Sequence, residues 1–363
     1  MPNEIKIAID ARYIDKDGSG ISNYCKNIIT HISKIKGVEI YPIVNQHTPI
    51  EFQSEKIISP YSHKQHPLQE LWMTFKLPEI LKKKSINILF CPAFIVPLRK
   101  IPQKLITNIH DFTYIYAKET MPLKFRFYTK IFTEKALKIS DKIILNSKSV
   151  QQELKENYSQ YYEKTTQIYP GIPLELETGP TKTKTNKKYF LYVGNLEPRK
   201  NLHQLALIFQ ELRKDKNFKS HELIICGKKK WKWANIEKKI NQIKENIIFK
   251  GYVKPSELKT LYQNAQAVFM ISKYEGLGFP ILEGLQMGKI TIASNINSFK
   301  EIARNLAVFI NPYNIKESSR IIKNALADKE MHENKIKKEF PQILKKFNWE
   351  NCAKKTLETI KNA

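Results

Sequence analysis

Cysteine is scarce in this chain: Cys25, Cys91, Cys226 and Cys352 are the only four in 363 residues. They stand far apart, each in or beside an apolar run, with no C-x-x-C pair and no Cys/His cluster at ligand spacing. This excludes a disulfide scaffold and a structural zinc site, and leaves buried thiols in a reducing compartment. Long apolar runs are missing too. The longest, Ile86 to Leu98, is broken by Asn87, Pro92 and Pro97, short of the roughly 18–20 residues that span a bilayer. The opening MPNEIKIAID has no basic-then-apolar leader and reads straight into a strand, so a cytoplasmic location is expected.

Arginine is the third scarcity. Of 61 basic residues only seven are Arg, against 35 acidic residues, for a net charge of +26. Readers of base sequence favour Arg, whose planar fork matches guanine and phosphate. An excess made of Lys therefore speaks against nucleic acid as a partner. It leaves an anionic membrane surface, phosphorylated substrates, or a bias of a Lys-, Ile- and Asn-rich chain. What is present is globular: 42% hydrophobic and 26% charged residues, at a length suited to about two domains.

Apolar strands alternate with helical stretches, twice over. Strands are expected at Ile5 to Ala11, Val38 to Val44, Ile86 to Phe90, Leu105 to Ile109 and Lys142 to Leu145. Helices are expected at Ile21 to Ile35, Leu68 to Leu81, Leu123 to Leu137 and from Ser147 through Leu154. The stretch 173–188, PLELETGPTKTKTNKK, reads as an exposed linker. The alternation then restarts with Tyr189 to Val193 and runs through Ile290 to Ala293, with Ser256 expected to cap a helix Glu257 to Asn264. Three helical stretches close the chain. The pattern predicts two tandem doubly wound α/β domains, 1–172 and 189–346, with a final helix over 347–363 packing back toward the first. Ligands of such sheets bind outside the carboxyl ends of the strands, and in a tandem pair those ends can face one another across a cleft.

Four stations follow strands. Gly18-Ser19-Gly20 precedes a helix, where backbone can approach an anion; a plain turn reads equally well. His110-Asp111 closes the strand Leu105 to Ile109; the imidazole either donates to a substrate or bonds a backbone carbonyl. Arg199-Lys200, in GNLEPRKN before a helix, combines two cations with a helix N-terminus and suits a diphosphate. Glu275 and Glu283 flank a glycine-rich turn in YEGLGFPILEG, with Glu283 expected on the first turn of a helix, and ionised carboxylates suit sugar hydroxyls.

Over nearly its whole length the chain resembles the retaining glycosyltransferases of family 4, which have the GT-B fold. The resemblance is carried by GSGISNY, LFCPAFIVPL, TNIHDFTYIYAKE, ILNSKSVQQEL, YVGNLEPRKNL, FKGYVKPSELKTLYQNA, YEGLGFPILEGLQMGK and FNWENCAKKTLETI, in this order. Glu275-x7-Glu283 is its most specific element. The resemblance implies that Arg199 and Lys200 neutralise the nucleotide diphosphate and that Glu283 binds ribose hydroxyls. It implies that Glu275 lies by the donor sugar and that the backbone of Gly276, Leu277, Gly278 and Phe279 contacts sugar and phosphate. It also implies that His110 touches the sugar, that Gly18 and Gly20 allow close approach near the phosphates, and that Tyr252 and Val253 lie near the base. The chain departs from the family at Asn195, where Arg is common, at Leu277, where Phe is common, and at Ile271, where Pro is frequent.

The activity so implied is metal-independent transfer of a hexose, mannose from GDP-mannose foremost, to a saccharide or lipid-linked acceptor in surface polysaccharide synthesis. Neither a cofactor nor a metal is expected; Asp15-Lys16-Asp17 has D-x-D spacing but sits in the first glycine-rich loop. A nucleotide-sugar 2-epimerase of the same fold is the alternative enzyme, and a basic nucleic-acid- or membrane-binding protein the alternative class. One segment bears on location. Pro122 to Lys138 interleaves Phe125, Phe127, Tyr128, Ile131 and Phe132 with Lys124, Arg126, Lys130, Lys135 and Lys138. Helical spacing puts Phe125, Tyr128 and Phe132 on one face, which is either core or a surface resting on the anionic inner leaflet.

Overall fold

The computed structural model describes residues 4–15, 18–49, 52–62, 65, 67–172, 187–243 and 245–363. Lys16 and Asp17 of the D-x-D run, and the expected linker apart from Lys187 and Lys188, lie outside these residues. The chain divides into two units, one of Met1–Phe112, Lys124–Pro173 and Lys346–Ala363, the other of Thr113–Leu123 and Leu174–Lys345.

Among the described residues the first unit holds a seven-stranded parallel sheet. Its strands are β1 (Ile5–Asp10), β2 (Val38–Val44), β3 (Ile57–Ile58), β4 (Ile88–Cys91), β5 (Lys104–Ile109), β6 (Lys142–Leu145) and β7 (Thr165–Gln167), in the order β3-β2-β1-β4-β5-β6-β7. Every pairing is parallel, with Ile7 opposite Ile40 on one side and Ile88 on the other. Ile7, Ile9, Leu89, Phe90, Leu105 and Ile106 are buried, as expected of strands covered on both faces. The helices of this unit are α1 (Gly20–Ile32), α2 (Leu68–Phe75), α3 (Leu77–Lys83), α5 (Leu123–Ile139) and α6 (Lys148–Asn157), while α4 (Thr113–Tyr116), between β5 and α5 in the chain, counts with the second unit. Ser19 and Ser147 cap α1 and α6 by accepting from the N–H groups of Ser22 and Val150. The single helix expected over Leu68 to Leu81 is two, meeting at Lys76, because Pro78 cannot continue the bonding of the first.

The second unit repeats the plan. Strands β8 (Tyr189–Val193), β9 (Glu222–Cys226), β10 (Ile247–Gly251), β11 (Ala267–Met270), β12 (Thr291–Ser294) and β13 (Val308–Ile310) form a parallel sheet in the order β10-β9-β8-β11-β12-β13. Its helices are α7 (Leu202–Arg213), α8 (Trp233–Asn241), α9 (Pro255–Asn264), α10 (Phe279–Gln286), α11 (Asn297–Ala303), α12 (Ile315–Ala327) and α13 (Lys329–Leu344). Ser256 is not the cap expected of it: α9 starts at Pro255, and its N-cap, Lys254, gives no side-chain bond. Pro255 takes over because its missing N–H is no loss in a first turn. The strand order reverses between β8 and β11, the switch point at which doubly wound sheets bind ligands.

Two segments belong to units other than their place in the chain suggests. Thr113–Leu123, expected within the first domain, counts with the second unit. Trp231 donates its indole N–H to Thr120 O at 2.9 Å, and Lys232 reaches the carbonyls of Glu119 and Met121. The Tyr116 ring stacks on Tyr274 at 5.6 Å. The final helix, α14 (Trp349–Lys361), counts with the first unit, where Trp349, Cys352, Ala353, Leu357 and Ile360 enter the core and pack against α1. Trp349 donates to Ile172 O at 3.1 Å, and its ring lies so close to Gly171 that a Cβ there would come within 2.3 Å.

Helix α5 presents a different face from the expected one. Tyr128 donates to Glu70 Oε1 of α2 at 2.8 Å, and its ring meets Phe94 and Phe132, so Tyr128 and Phe132 turn toward the protein. The exposed apolar stripe is Leu123, Phe127 and Ile131, with Phe127 61% exposed. The four-residue spacing that defines a helical face cannot say which face is covered. Helix α2 adds Leu68, Leu71 and Phe75, also exposed. No described helix is long and apolar enough to cross a membrane.

Replacing Trp349 with alanine removes a buried aromatic ring and a hydrogen bond at once. The expected loss is about 3–5 kcal/mol, read as an earlier urea transition of the first unit. An unchanged midpoint would mean that α14 contributes little to its stability.

Candidate functional site

The second unit gathers its ionic residues at the switch point. The loop after β8 runs from Gly194 through a 3-10 turn, Pro198–Lys200, to Asn201 in a left-handed conformation before α7. Gly227, after β9, passes so close that a Cβ there would lie 1.8 Å from Gly194 O; only glycine fits. The loop after β11 is tied to the first, since Lys273 N–H donates to Arg199 O at 2.8 Å and the Arg199 guanidinium donates to Tyr274 O at 2.9 Å.

Glu275 is the centre of this cluster. Its Oε1 accepts from Lys200 Nζ at 2.5 Å and Ser272 Oγ at 2.7 Å, and its Oε2 faces Arg199 Nη1 at 2.6 Å. Arg199 also donates twice to Glu197 Oε1, at 3.2 and 2.8 Å. All four side chains are largely withdrawn from water. Burial pushes the Glu275 carboxyl up, but Arg199 and then Lys200 more than offset this and hold it down at about 2. The two cations of the expected clamp thus already face two carboxylates.

Glu283 has the opposite environment. It lies on the second turn of α10 rather than the first, because the helix begins at Phe279. It is 7% exposed and accepts from the hydroxyl of Tyr262, on α9, at 2.6 Å. Burial pushes its carboxyl up to about 7, the Tyr262 hydrogen bond opposing the shift. One of the two glutamates is therefore ionised at all ordinary pH, and the other titrates near neutrality. Between them Gly278 has φ +113°, and a Cβ on it would meet the Phe299 ring at 2.6 Å. The α10 N-terminus carries no side-chain cap and offers the positive end of a helix. Tyr252 presents a 47% exposed ring with Lys228 Nζ 4.9 Å from its centre, next to buried Val253.

The other expected residues are in the first unit. Gly18 has φ +63°, while a Cβ on Gly20 would meet nothing within 4 Å. His110 adopts the backbone alternative: its Nε2–H donates to Pro92 O at 2.8 Å, and its Nδ1 accepts from Asn146 Nδ2 at 2.5 Å. Asn146 Oδ1 accepts in turn from Asn108, whose Oδ1 accepts from the Tyr24 hydroxyl. Burial lowers the imidazole pKa, with the Pro92 carbonyl opposing it, so the ring is neutral. Reading along the chain did not single out Tyr24, Asn108, Asn146, Glu197, Tyr262 or Ser272. Glu197 alone left a local signal, an acid two positions before Arg199. Among the described residues no three His, Cys, Asp or Glu side chains converge as a metal site.

Comparison with known proteins agrees with this architecture. Residues 18–176 match the model described as Glycosyltransferase Family 4, and residues 176–340 match Glycosyl transferases group 1. The chain is 31% identical, over 48% of its length, to the O-antigen chain mannosyltransferase B of Escherichia coli, of which 45% is covered. It is 27% identical, over 60%, to the O-antigen chain mannosyltransferase RfbU of Salmonella typhimurium, of which 59% is covered. The match thus spans about half the length of these curated relatives. In structure it is similar to WaaG, a glycosyltransferase involved in lipopolysaccharide biosynthesis, with a TM-score of 0.74 at 13% identity over 98% of this chain and 100% of that one. The fold is GT-B.

Glu283 generates a pH test. Its folded pKa of about 7 lies above the ordinary carboxyl value of 4.5, so the folded state holds the proton more tightly. The stability it contributes is present below about pH 4.5 and is lost as pH rises through about 7. Glu283→Gln should therefore melt like the parent at pH 4.5 and above it at pH 8, by up to roughly 3 kcal/mol. Equal melting at pH 8 would mean that the carboxylate is well solvated.

Proposed function

For a chain made of glycosyltransferase family 4 and glycosyl transferases group 1 domains, we propose retaining transfer of a hexose from a nucleotide sugar to a saccharide or lipid-linked acceptor in surface polysaccharide synthesis. The observation that carries this reading is the buried Arg199–Lys200–Glu275 cluster at the switch point of the second sheet. Mannose is the favoured sugar, supported by the names of the mannosyltransferase relatives, and GDP-mannose the favoured donor, as the family resemblance implies.

In this reading the sugar–phosphate bond breaks while negative charge grows on the diphosphate. Arg199, Lys200 and the uncapped N-terminus of α10 are fixed positive groups that need no rearrangement to meet it. Glu275, ionised, holds both cations in place and faces the donor sugar. Glu283 accepts from ribose hydroxyls, with Tyr262 fixing one of its oxygens, and Tyr252 with Val253 flanks the base. His110, Gly18 and Gly20 keep the roles implied by family resemblance, with the His110 ring held neutral. The acceptor hydroxyl attacks the sugar on the face the diphosphate leaves, its proton passing to the departing phosphate oxygen, so that configuration is retained. No metal or cofactor takes part.

The location proposed is peripheral, on an anionic cytoplasmic leaflet. Exposed Phe125, Phe127 and Ile131 on α5 are interleaved with Lys124, Arg126 and Lys130, and Arg99 sits 4.9 Å over the exposed ring of Phe75, the last residue of α2. Apolar anchors ringed by cations complement an acidic lipid surface.

Arg199→Ala, Lys200→Ala and Glu283→Ala should each lower kcat/KM for the donor, the cation variants by roughly a hundredfold, with melting curves still cooperative. Donor use at the parental rate in all three would overturn the site. Transfer should survive EDTA; loss that magnesium or manganese restores would refute metal independence. On the membrane, Phe127→Asp with Ile131→Asp should abolish binding to vesicles of phosphatidylglycerol, while neutral vesicles bind neither protein. Equal binding to acidic and neutral vesicles, or none to either, would leave a soluble acceptor as the better reading.

A further inference from the structure

A cavity of about 490 Å³ lies at the other end of the second sheet. Lys188, His221 and Gln266, which immediately precede β8, β9 and β11, form part of its wall. In a parallel sheet the residues before the strands and those after them sit at opposite ends, here about 17 Å apart for five-residue strands. The cavity is thus separate from Arg199, Lys200 and Glu275, which follow β8 and β11. Its size falls within the roughly 300–1,000 Å³ of small-molecule sites.

His221 is the unusual wall residue. It is 4% exposed, its ring stacks on Phe190 at 5.2 Å and meets Phe218 at 5.3 Å, yet its Nδ1 is buried with no hydrogen-bond partner. Burial, then Lys188, lowers its pKa, so the ring is neutral. A phenylalanine would fill this aromatic slot without leaving a polar nitrogen unmet. Around it stand three lysines, Lys188, Lys323 and Lys329, against one carboxylate, Asp215. Lys323 pairs with Asp215 at 3.3 Å, and Lys329 donates to Gln266 Oε1 at 3.1 Å and faces Glu333 Oε1 at 3.7 Å, just outside the wall. The wall therefore offers ring surface, amide groups able both to donate and to accept, and a net positive charge.

We propose that this cavity is a second binding site, for a nucleoside phosphate: the flat base lies against the half-buried Phe218, its edge meets His221 Nδ1 and the amides, and the lysines take the phosphate. The site's existence does not rest on the proposed activity.

Equilibrium dialysis of the full chain against GDP, UDP and AMP, with inorganic phosphate as a control, tests it. At least one nucleotide should fill two sites per chain. Arg199→Ala with Lys200→Ala should remove one site, and His221→Phe with Lys188→Glu should weaken the other at least tenfold. His221→Phe should melt no lower than the parent; if it fails to fold, Lys188→Glu with Lys329→Glu gives the same readout from the cavity rim. If the transferase reading alone is wrong, one nucleotide still binds, unaffected by the Arg199/Lys200 pair and lost in the His221/Lys188 pair. The cavity assignment is overturned if no nucleotide binds, if all binding vanishes with Arg199 and Lys200, or if inorganic phosphate binds as tightly as the nucleotides.

Discussion

A carboxylate taken out of water must find cations, and that requirement organises the second unit. Glu275 is 8% exposed, and an isolated charge so placed would be neutralised by protonation. Arg199 and Lys200 meet it from the loop after β8, Ser272 from its own loop, and Glu197, also paired with Arg199, brings a second carboxylate to the two cations. The ion pairs therefore fasten the loop after β8 to the loop after β11, across the point where strand order reverses. Breaking one partner of such a group leaves a buried charge uncompensated, which costs more than the pair itself contributes. The arrangement is rigid for an electrostatic reason, and rigidity is what a charge-stabilising site needs.

The same sheet end holds a second carboxylate that solves the problem differently. Among the described residues no cation pairs with Glu283; the hydroxyl of Tyr262 accompanies it into the interior. It remains close to protonation at neutral pH. Two glutamates eight positions apart thus differ in pKa by about five units, from about 2 to about 7, purely through surroundings. In the first unit His110 shows the neutral counterpart. Pro92, Asn146, Asn108 and Tyr24 form a chain of hydrogen bonds that fixes one tautomer of a buried ring.

The charge of +26 takes on definite meaning in only a few places. Many lysines are solvated, and the ion pairs that some of them make with carboxylates on the surface, such as Lys76 with Glu79 and Lys214 with Glu211, each contribute little. Lys200 is different because it is buried. The cations on α5 are different because apolar side chains stand exposed among them, and those of the cavity before β8 because they surround an unsatisfied imidazole.

Much of this was legible along the chain. Val38–Val44, Lys142–Leu145 and Tyr189–Val193 appear as strands at the bounds expected, since strands buried on both faces are plain apolar runs between turns. Arg199, Lys200, Glu275 and Glu283 could be picked out because their chemistry sits beside glycines and strand ends. Local pattern carries no information about which distant groups share a buried volume. That Lys200 and Arg199 both bind Glu275, that Tyr262 holds Glu283, and that the His110 proton goes to Pro92 follow from the packing of elements far apart in sequence. Packing likewise chose which face of α5 is covered, gave Thr113–Leu123 to the second unit and returned α14 to the first. Helical spacing defines faces and chain order defines neighbours; only the closing of the core decides which face is buried and which neighbours touch.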